Sequence, residues 1–374
     1  MNKSIHQHPE RTHGGRIPCL DGLRALSIFG VAFAHLQGTQ GFPAQEWMRL
    51  PGDLGNLGVR VFFVISGFLI THLLIQESRA NGTISLKNFY IRRTFRIFPA
   101  FYAYLGVIAV MAMAGLIALE WSDFGFAATY LINFVEKKDW VVGHLWSLAV
   151  EEQFYLIWPL TVVLAGWGRS TMIALGIIAI APVLRIACWY LMPEWQVLIT
   201  KAFPTVCDSI ASGCALACLR GRMDGWKHYR WFVSSRFFWL IPLVIFISNS
   251  LASHTRPDYL VGQTVRNVGI ALCLDWCLRN PASTVGRFLN LRFMIWLGGL
   301  SYSFYLWQQL FLNRNSSAIW CAFPLNIILA LMFALISFHG IERPFLKVRA
   351  KWFPGKKLVS KKSDISAPLP DASV

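Results

Sequence analysis

Charged residues are scarce in this chain: they make up 14% of its 374 residues, where soluble domains average about 25%. Hydrophobic residues make up 55% of the chain, in long apolar runs that recur along it. This balance excludes an ordinary soluble protein and predicts an all-α, polytopic integral membrane protein. We predict about ten transmembrane helices, at 20–37, 56–76, 97–119, 145–167, 171–191, 202–219, 237–253, 260–278, 293–313 and 319–341.

Metal-ligand spacings are also lacking, because the eight cysteines lie in apolar runs without the pairs that bind zinc. We interpret them as small buried residues and predict no metal and no bound cofactor. Residues 1–19 are polar and lack the apolar stretch of a cleavable signal peptide, so we expect a cytosolic segment there. The expected divisions are this segment, a transmembrane domain over 20–345 and a basic, disordered cytosolic tail over 346–374.

Positive charge is unevenly distributed along the chain, whose net charge is +16. If the N-terminus is cytosolic, 25 of the 35 Lys and Arg residues fall in segments on the inner side and 8 on the outer side. Such an asymmetry is the positive-inside pattern of membrane proteins. It predicts that both termini are cytoplasmic, and it makes the lipid bilayer, not nucleic acid, the partner of the basic charge.

The first predicted span carries two ionisable side chains, Arg24 and His35. Eleven residues make three helical turns plus about 20°, so both side chains lie on one face, about 16 Å apart along the axis. Asp21 lies on the same face. Because an ionisable group costs roughly 2.5–3.5 kcal/mol within a bilayer, this polar stripe predicts a functional surface that faces the protein interior.

The residues around this pair resemble a known family. Asp21-Gly-Leu-Arg-Ala-Leu-Ser27, followed by His35, is similar to the opening of the membrane-bound acyltransferase-3 family. That family O-acylates surface polysaccharides and some small secreted molecules, and its mark is Arg or Lys, ten residues and then His. We therefore expect Arg24 and His35 to be catalytic.

Two further blocks extend the resemblance. The segment 58–70 is similar to the family's Phe-Phe-x-x-Ser-Gly-Phe-Leu block, in which Ser66 keeps side-chain bulk small where a helix or ligand approaches. In 87–99, Arg93 and Arg96 match an Arg-x-x-Arg element at the cytosolic edge of the third span. The resemblance implies that they bind the phosphates of acyl-coenzyme A (acyl-CoA), for which the planar guanidinium fork is well suited.

The fourth span opens with the most specific string, His144 to Pro159, which resembles the family's Trp-Ser-Leu-x-x-Glu-x-x-Phe-Tyr pattern. It contains two adjacent carboxylates that point about 100° apart on a helix, so each needs its own partner. We predict Glu152 as a catalytic residue that orients the imidazole, and Glu151 as the more structural of the two, at the edge of the substrate site.

Three later features complete the sequence evidence. Asp208 is an intramembrane carboxylate and a candidate partner for a cation in the substrate site. Many relatives place His after the Trp of the ninth-span block, where this chain has Gln308 and Gln309, so the acid/base role concentrates on His35. We interpret Glu342 and Arg343 as an ion pair at the cytosolic end of the last span.

The resemblance extends over about 17–345 and implies a bacterial inner-membrane O-acyltransferase. We expect it to move an acyl group, most often acetyl, from cytosolic acyl-CoA to a hydroxyl of an outward-facing glycan such as O-antigen or exopolysaccharide. His35 takes the hydroxyl proton, or else forms an acyl-histidine intermediate, and the sequence leaves both versions open. A secondary transporter or lipid-linked glycan flippase is the alternative, and a non-catalytic scaffold or sensor is a weaker one.

Overall fold

A computed structural model describes residues 16–43, 53–250 and 258–352. Within these ranges the chain is helical and contains no strand, as the composition predicts. The helices are α1 Leu20–Leu36, α2 Leu54–Asn81, α3 Leu86–Met113, α4 Trp121–Ala128, α5 Trp140–Gly143, α6 Leu145–Leu191, α7 Phe203–Val206, α8 Asp208–Met223, α9 Lys227–Ser234, α10 Leu240–Ser250, α11 Gln263–Arg279, α12 Thr284–Leu289, α13 Arg292–Phe311, α14 Leu325–Ser337 and α15 Arg343–Trp352.

Four helical stretches of the described residues are long and apolar enough to cross a membrane, and there are five if the pair Lys227–Ser234 and Arg236–Ser250, bent by 71°, forms one span. The four are Leu54–Asn81, Leu86–Met113, Trp140–Leu191 and Leu325–Trp352. The predicted fourth and fifth spans lie in one helix, α6, interrupted at Gly166, where φ is 73°. The count of ten spans and the cytoplasmic termini therefore stay predictions.

The predicted disordered tail is wrong for residues 346–352, since α15 continues through Trp352. The segment alternates basic and apolar residues with helical spacing, and the good helix formers Lys and Arg support its continuation. Residues 353–374, and the part of the expected N-terminal segment before Arg16, lie outside the described residues.

The helices that carry the sequence motifs pack backbone to backbone at glycines. A Cβ atom on Gly298 of α13 would lie 2.0 Å from the Asp21 carbonyl oxygen of α1. One on Gly67 of α2 would lie 1.9 Å from the Ile210 carbonyl oxygen of α8. Only glycine permits such approaches, which are typical of helix pairs in membranes. They fix α13 against α1 and α2 against α8, and so set the positions of the side chains that these helices carry.

Candidate active site

A pocket opens between α1, α2, α3, α6 and α13, closed at one end by the segment that joins α14 to α15. Its wall combines three guanidinium groups with two carboxylates and several hydroxyls. The polar residues of the wall are Arg24, Ser66, Arg93, Arg96, Ser147, Glu151, Ser301, Tyr302, Tyr305 and Glu342. The pocket thus brings together five of the eight site residues predicted from the sequence, namely Arg24, Ser66, Arg93, Arg96 and Glu151.

The three arginines of the pocket are held in different ways. The Arg93 Nε atom lies 3.4 Å from Glu152 Oε1, and its guanidinium stacks over the Tyr155 ring at 3.5 Å. Arg24 lies 3.8 Å from the Asp21 carboxylate. Arg96 makes no ion pair with any described residue. Three guanidiniums gathered in one wall are suited to a polyanionic ligand such as a phosphate ester.

The adjacent carboxylates Glu151 and Glu152 face different partners, as their helical spacing requires. Ser66 donates a hydrogen bond from Oγ to Glu151 Oε1 over 2.6 Å, across the contact between α2 and α6. Glu152 turns to Arg93 and does not line the pocket. We expected Glu152 to be the site residue and Glu151 the more structural one. In the structure Glu151 lines the pocket, whereas Glu152 contacts Arg93, one of the pocket's arginines.

Glu342 is a pocket residue that the sequence reasoning missed. It accepts a hydrogen bond from Ser303 of α13 and is 6% exposed. The expected ion pair with Arg343 is absent among the described contacts, because consecutive helical residues point about 100° apart. Arg343 instead contacts His339 at 3.2 Å. The available signal was the carboxylate's position directly after an apolar span, where burial demands a partner.

His35 lies beyond the other end of the pocket. Its Nδ1 atom is 2.8 Å from Gln308 Oε1, and its ring packs on Trp140 with centroids 5.5 Å apart. Tyr305, in the pocket wall, precedes Gln308 by three residues on α13, so less than one helical turn separates the wall from the imidazole's partner. Gln308 of the ninth-span block thus contacts His35 directly, and Gln309 reaches the imidazole only through Gln308.

Asp208 lies in a separate buried cluster, outside the pocket wall. It is 2.6 Å from Arg185, and both side chains are fully buried. Thr264 donates a hydrogen bond to the same carboxylate oxygen over 2.6 Å. This arrangement joins α6, α8 and α11, and it gives Asp208 a cation partner that does not belong to the pocket.

The fold and the pocket together define a protein that is helical over its described residues, with apolar helices long enough to span a membrane and an arginine-rich pocket between them. A comparison with family models matches the acyltransferase domain of the acyltransferase-3 family over residues 17–341, and the chain belongs to that family. No solved structure matches the chain.

Curated relatives carry names that describe acetyl transfer. The chain is 27% identical to the peptidoglycan O-acetyltransferase OatA of Listeria monocytogenes, with 88% of this chain and 56% of that protein covered. It is 29% identical to a Staphylococcus aureus protein named "Putative O-acetyltransferase", with 90% and 59% covered. The chain therefore spans little more than half the length of these relatives.

Proposed function

We propose that this chain is an integral membrane O-acyltransferase that moves an acyl group, most simply acetyl, from cytosolic acyl-CoA to a hydroxyl of an outward-facing glycan. The observation that carries the proposal is the arrangement of one pocket, with three arginines in its wall and an imidazole whose hydrogen-bond partner, Gln308, lies less than a turn beyond the wall residue Tyr305. The names of the relatives support acetyl as the group and a cell-wall glycan as the class of acceptor. They give no support to the transporter or flippase alternative.

The arginine end of the pocket suits the donor. Arg93 and Arg96 are one turn apart on α3, and their side chains share the same wall. Glu152 and Tyr155 hold Arg93 in place, while Arg96 is left with charge to offer an anion. We assign these two groups to the phosphates of acyl-CoA, and the pocket between Arg24 and Tyr305 to the thin thioester arm.

The imidazole end suits the chemistry. Neutral His35 accepts the proton of the acceptor hydroxyl as that oxygen attacks the thioester carbonyl carbon. The carbon–sulfur bond then breaks, the thiolate leaves, and the imidazolium returns its proton to the sulfur. In a second version the imidazole attacks the thioester carbonyl carbon first, and the carbon–sulfur bond breaks to release the thiolate. The acyl group then passes from His35 to the hydroxyl, whose proton goes to the thiolate. Arg24 stabilises developing negative charge in either version.

The carboxylates of the site have supporting roles in this scheme. Glu152 orients Arg93, and Glu151, held by Ser66, limits the positive potential of the pocket so that CoA can leave after transfer. Asp208 stabilises the helix packing through Arg185 and has no contact with the donor in this scheme. Glu342 supplies a second carboxylate in the same pocket wall as the three arginines.

The test is acetyl transfer in proteoliposomes that contain the protein. They are supplied with acetyl-labelled acetyl-CoA on the cytosolic side and with peptidoglycan fragments, O-antigen or exopolysaccharide on the other. The proposal predicts free CoA and an alkali-labile label on one class of glycan, both dependent on the acceptor. Translocation of a lipid-linked glycan without consumption of the thioester would support the flippase instead.

A further inference from the structure

We infer that Gln308 and Gln309 form a relay of side-chain amides that fixes the tautomer of His35, with the proton on Nδ1 and the bare lone pair on Nε2. Gln308 and Gln309 are positioning residues in this inference. The role in turnover rests on the proposed function, whereas the tautomer itself does not.

The relay begins at the backbone carbonyl of Trp140, whose role in hydrogen bonding is unambiguous. The backbone carbonyl oxygen of Trp140 only accepts hydrogen bonds, and Gln309 Nε2 lies 2.9 Å from it. The amide of Gln309 must therefore present its NH₂ group there. Its oxygen then faces Gln308, whose Nε2 atom lies 3.3 Å from Gln309 Oε1.

The hydrogen bond at Trp140 also determines which atom of Gln308 faces the imidazole. Because Gln308 Nε2 donates to Gln309, Gln308 Oε1 is left as the atom that faces His35, 2.8 Å from Nδ1. A carbonyl oxygen requires a donor, so Nδ1 carries the hydrogen and Nε2 does not. An imidazole in this tautomer is ready to accept a proton at Nε2, and the Gln308 oxygen also stabilises the imidazolium that results.

Burial makes the relay rigid. Gln308 is fully buried and Gln309 is 4% exposed, so water cannot easily replace either amide. The far end is doubly fixed, because Trp140 Nε1 donates back to the Gln309 backbone oxygen over 2.9 Å. The Trp140 ring also packs against the imidazole. His35 itself is only partly buried, and within the described residues Nε2 makes no hydrogen bond.

Other charged and titratable groups act on the imidazole without fixing its tautomer. Arg314, from the segment after α13, donates to the Ala34 backbone oxygen and stacks over Trp140. Asp53 lies at the start of α2, and His144 lies on the α6 side. None of the three forms a hydrogen bond with Nδ1 or Nε2, so the amide relay is the one described contact that distinguishes the two nitrogens.

The first arm of the test is spectroscopic and does not depend on turnover. Protein labelled with ¹⁵N-histidine in lipid bilayers is compared with His35→Gln to assign the His35 signals. The parent should show a protonated Nδ1 and a bare Nε2, and Gln308→Met should give a mixture of tautomers. A protonated Nε2 in the parent, or an unchanged tautomer in Gln308→Met, overturns the inference whether or not the protein transfers acyl groups.

The second arm measures turnover per folded molecule, with Gln196→Met as the matched control. Gln196 donates its side-chain amide to the Trp189 backbone oxygen, away from the pocket wall, so the control loses a similar bond. Gln308→Met should lower kcat about 10-fold or more with little change in KM for acetyl-CoA. Gln309→Met should also lower kcat, and the double variant should be no worse than Gln308→Met, because both residues act through one relay.

The conservative variant Gln308→Glu separates positioning from packing. Its carboxylate loses the hydrogen bond to Gln309 but still accepts from Nδ1, so much of the turnover should return. The acidic limb of the pH–rate profile should move to higher pH because the carboxylate stabilises the imidazolium. Additive losses in the double variant, or an unmoved acidic limb, would count against the relay. If the parent releases no CoA while the spectroscopic arm succeeds, the proposed function fails and the relay stands.

Discussion

Gly298→Ala tests how tightly the site depends on the contact between α1 and α13. The new Cβ atom would lie 2.0 Å from the Asp21 carbonyl oxygen, where ordinary contact begins at 3.4 Å. The two helices must therefore separate by about 1.4 Å at this point. Since α1 carries Arg24 and His35 while α13 carries Gln308, the separation disturbs the pocket and the imidazole together.

Two opposing terms set the expected change in the free energy of unfolding. Overpacking costs about 1–3 kcal/mol, and the higher helix propensity of Ala offsets up to about 1 kcal/mol of it. With the full offset, the net destabilisation is thus about 0–2 kcal/mol. The effect on catalysis is larger, because a displacement near 1 Å in a catalytic group costs on the order of 10²-fold in rate.

The assay compares thermal unfolding in detergent and acetyl transfer per folded molecule for Gly298→Ala and Gly106→Ala. Gly106 lies inside α3, and a Cβ atom there would meet no other atom within 4 Å, so its substitution should be neutral or slightly stabilising. If the two variants unfold and turn over alike, backbone contact between α1 and α13 does not set the site's geometry.

Three further predictions concern the donor, the buried ion pair and the topology. Arg96→Ala should weaken acyl-CoA binding roughly 10-fold, whereas Arg92→Ala, whose partner is Glu77, should not, as measured by equilibrium binding in nanodiscs; equal affinities would remove Arg96 from the donor site. Asp208→Asn should cost about 3–5 kcal/mol in the free energy of unfolding, because it leaves a buried guanidinium unpaired, while turnover per folded molecule persists; lost donor affinity in a stable variant would return Asp208 to the substrate site. Reporter fusions after Gly82 should report cytosolic and those within 120–140 external; the opposite result would refute the assigned orientation.

The sequence predicted the pocket residues that belong to regular helical motifs. Arg24, Ser66, Arg93, Arg96 and Glu151, from four helices, share one wall. Of the adjacent pair, Glu151 lines the pocket and Glu152 does not, since the rotation of α6 about its own axis depends on its neighbours. Periodicity gives the angle between two residues but not the direction that the pair faces.

The sequence did not reveal which side chains on different helices contact one another. Glu342 reaches Ser303 and Asp208 reaches Arg185 across helices that are distant along the chain. A buried carboxylate needs a partner, and the sequence offers several cations for each. The relay from His35 to Trp140 likewise joins α1, α13 and α5. Only the packed helices decide which of these groups meet.

The number of spans shows the same dependence on context. α1 has 17 residues and α8 has 16, which correspond to lengths of about 24–26 Å against a hydrocarbon core of about 30 Å. Helices of this length cross a bilayer only with help from flanking residues or from local thinning of the bilayer. The apolar runs of the sequence therefore predict about ten spans, whereas the length and hydropathy of the described helices alone support four or five.

Acyl transfer by His35→Gln tests the central claim most directly, because glutamine keeps hydrogen-bonding capacity in α1 but cannot accept a proton near neutral pH. The measurement is acetyl transferred from labelled acetyl-CoA to the glycan acceptor, per correctly inserted molecule, for this variant and the parent. We predict normal insertion and a loss of roughly 10² or more in turnover. A ratio near one would contradict the account, since His35 would then be a helix-packing residue and the reaction would have to use another base.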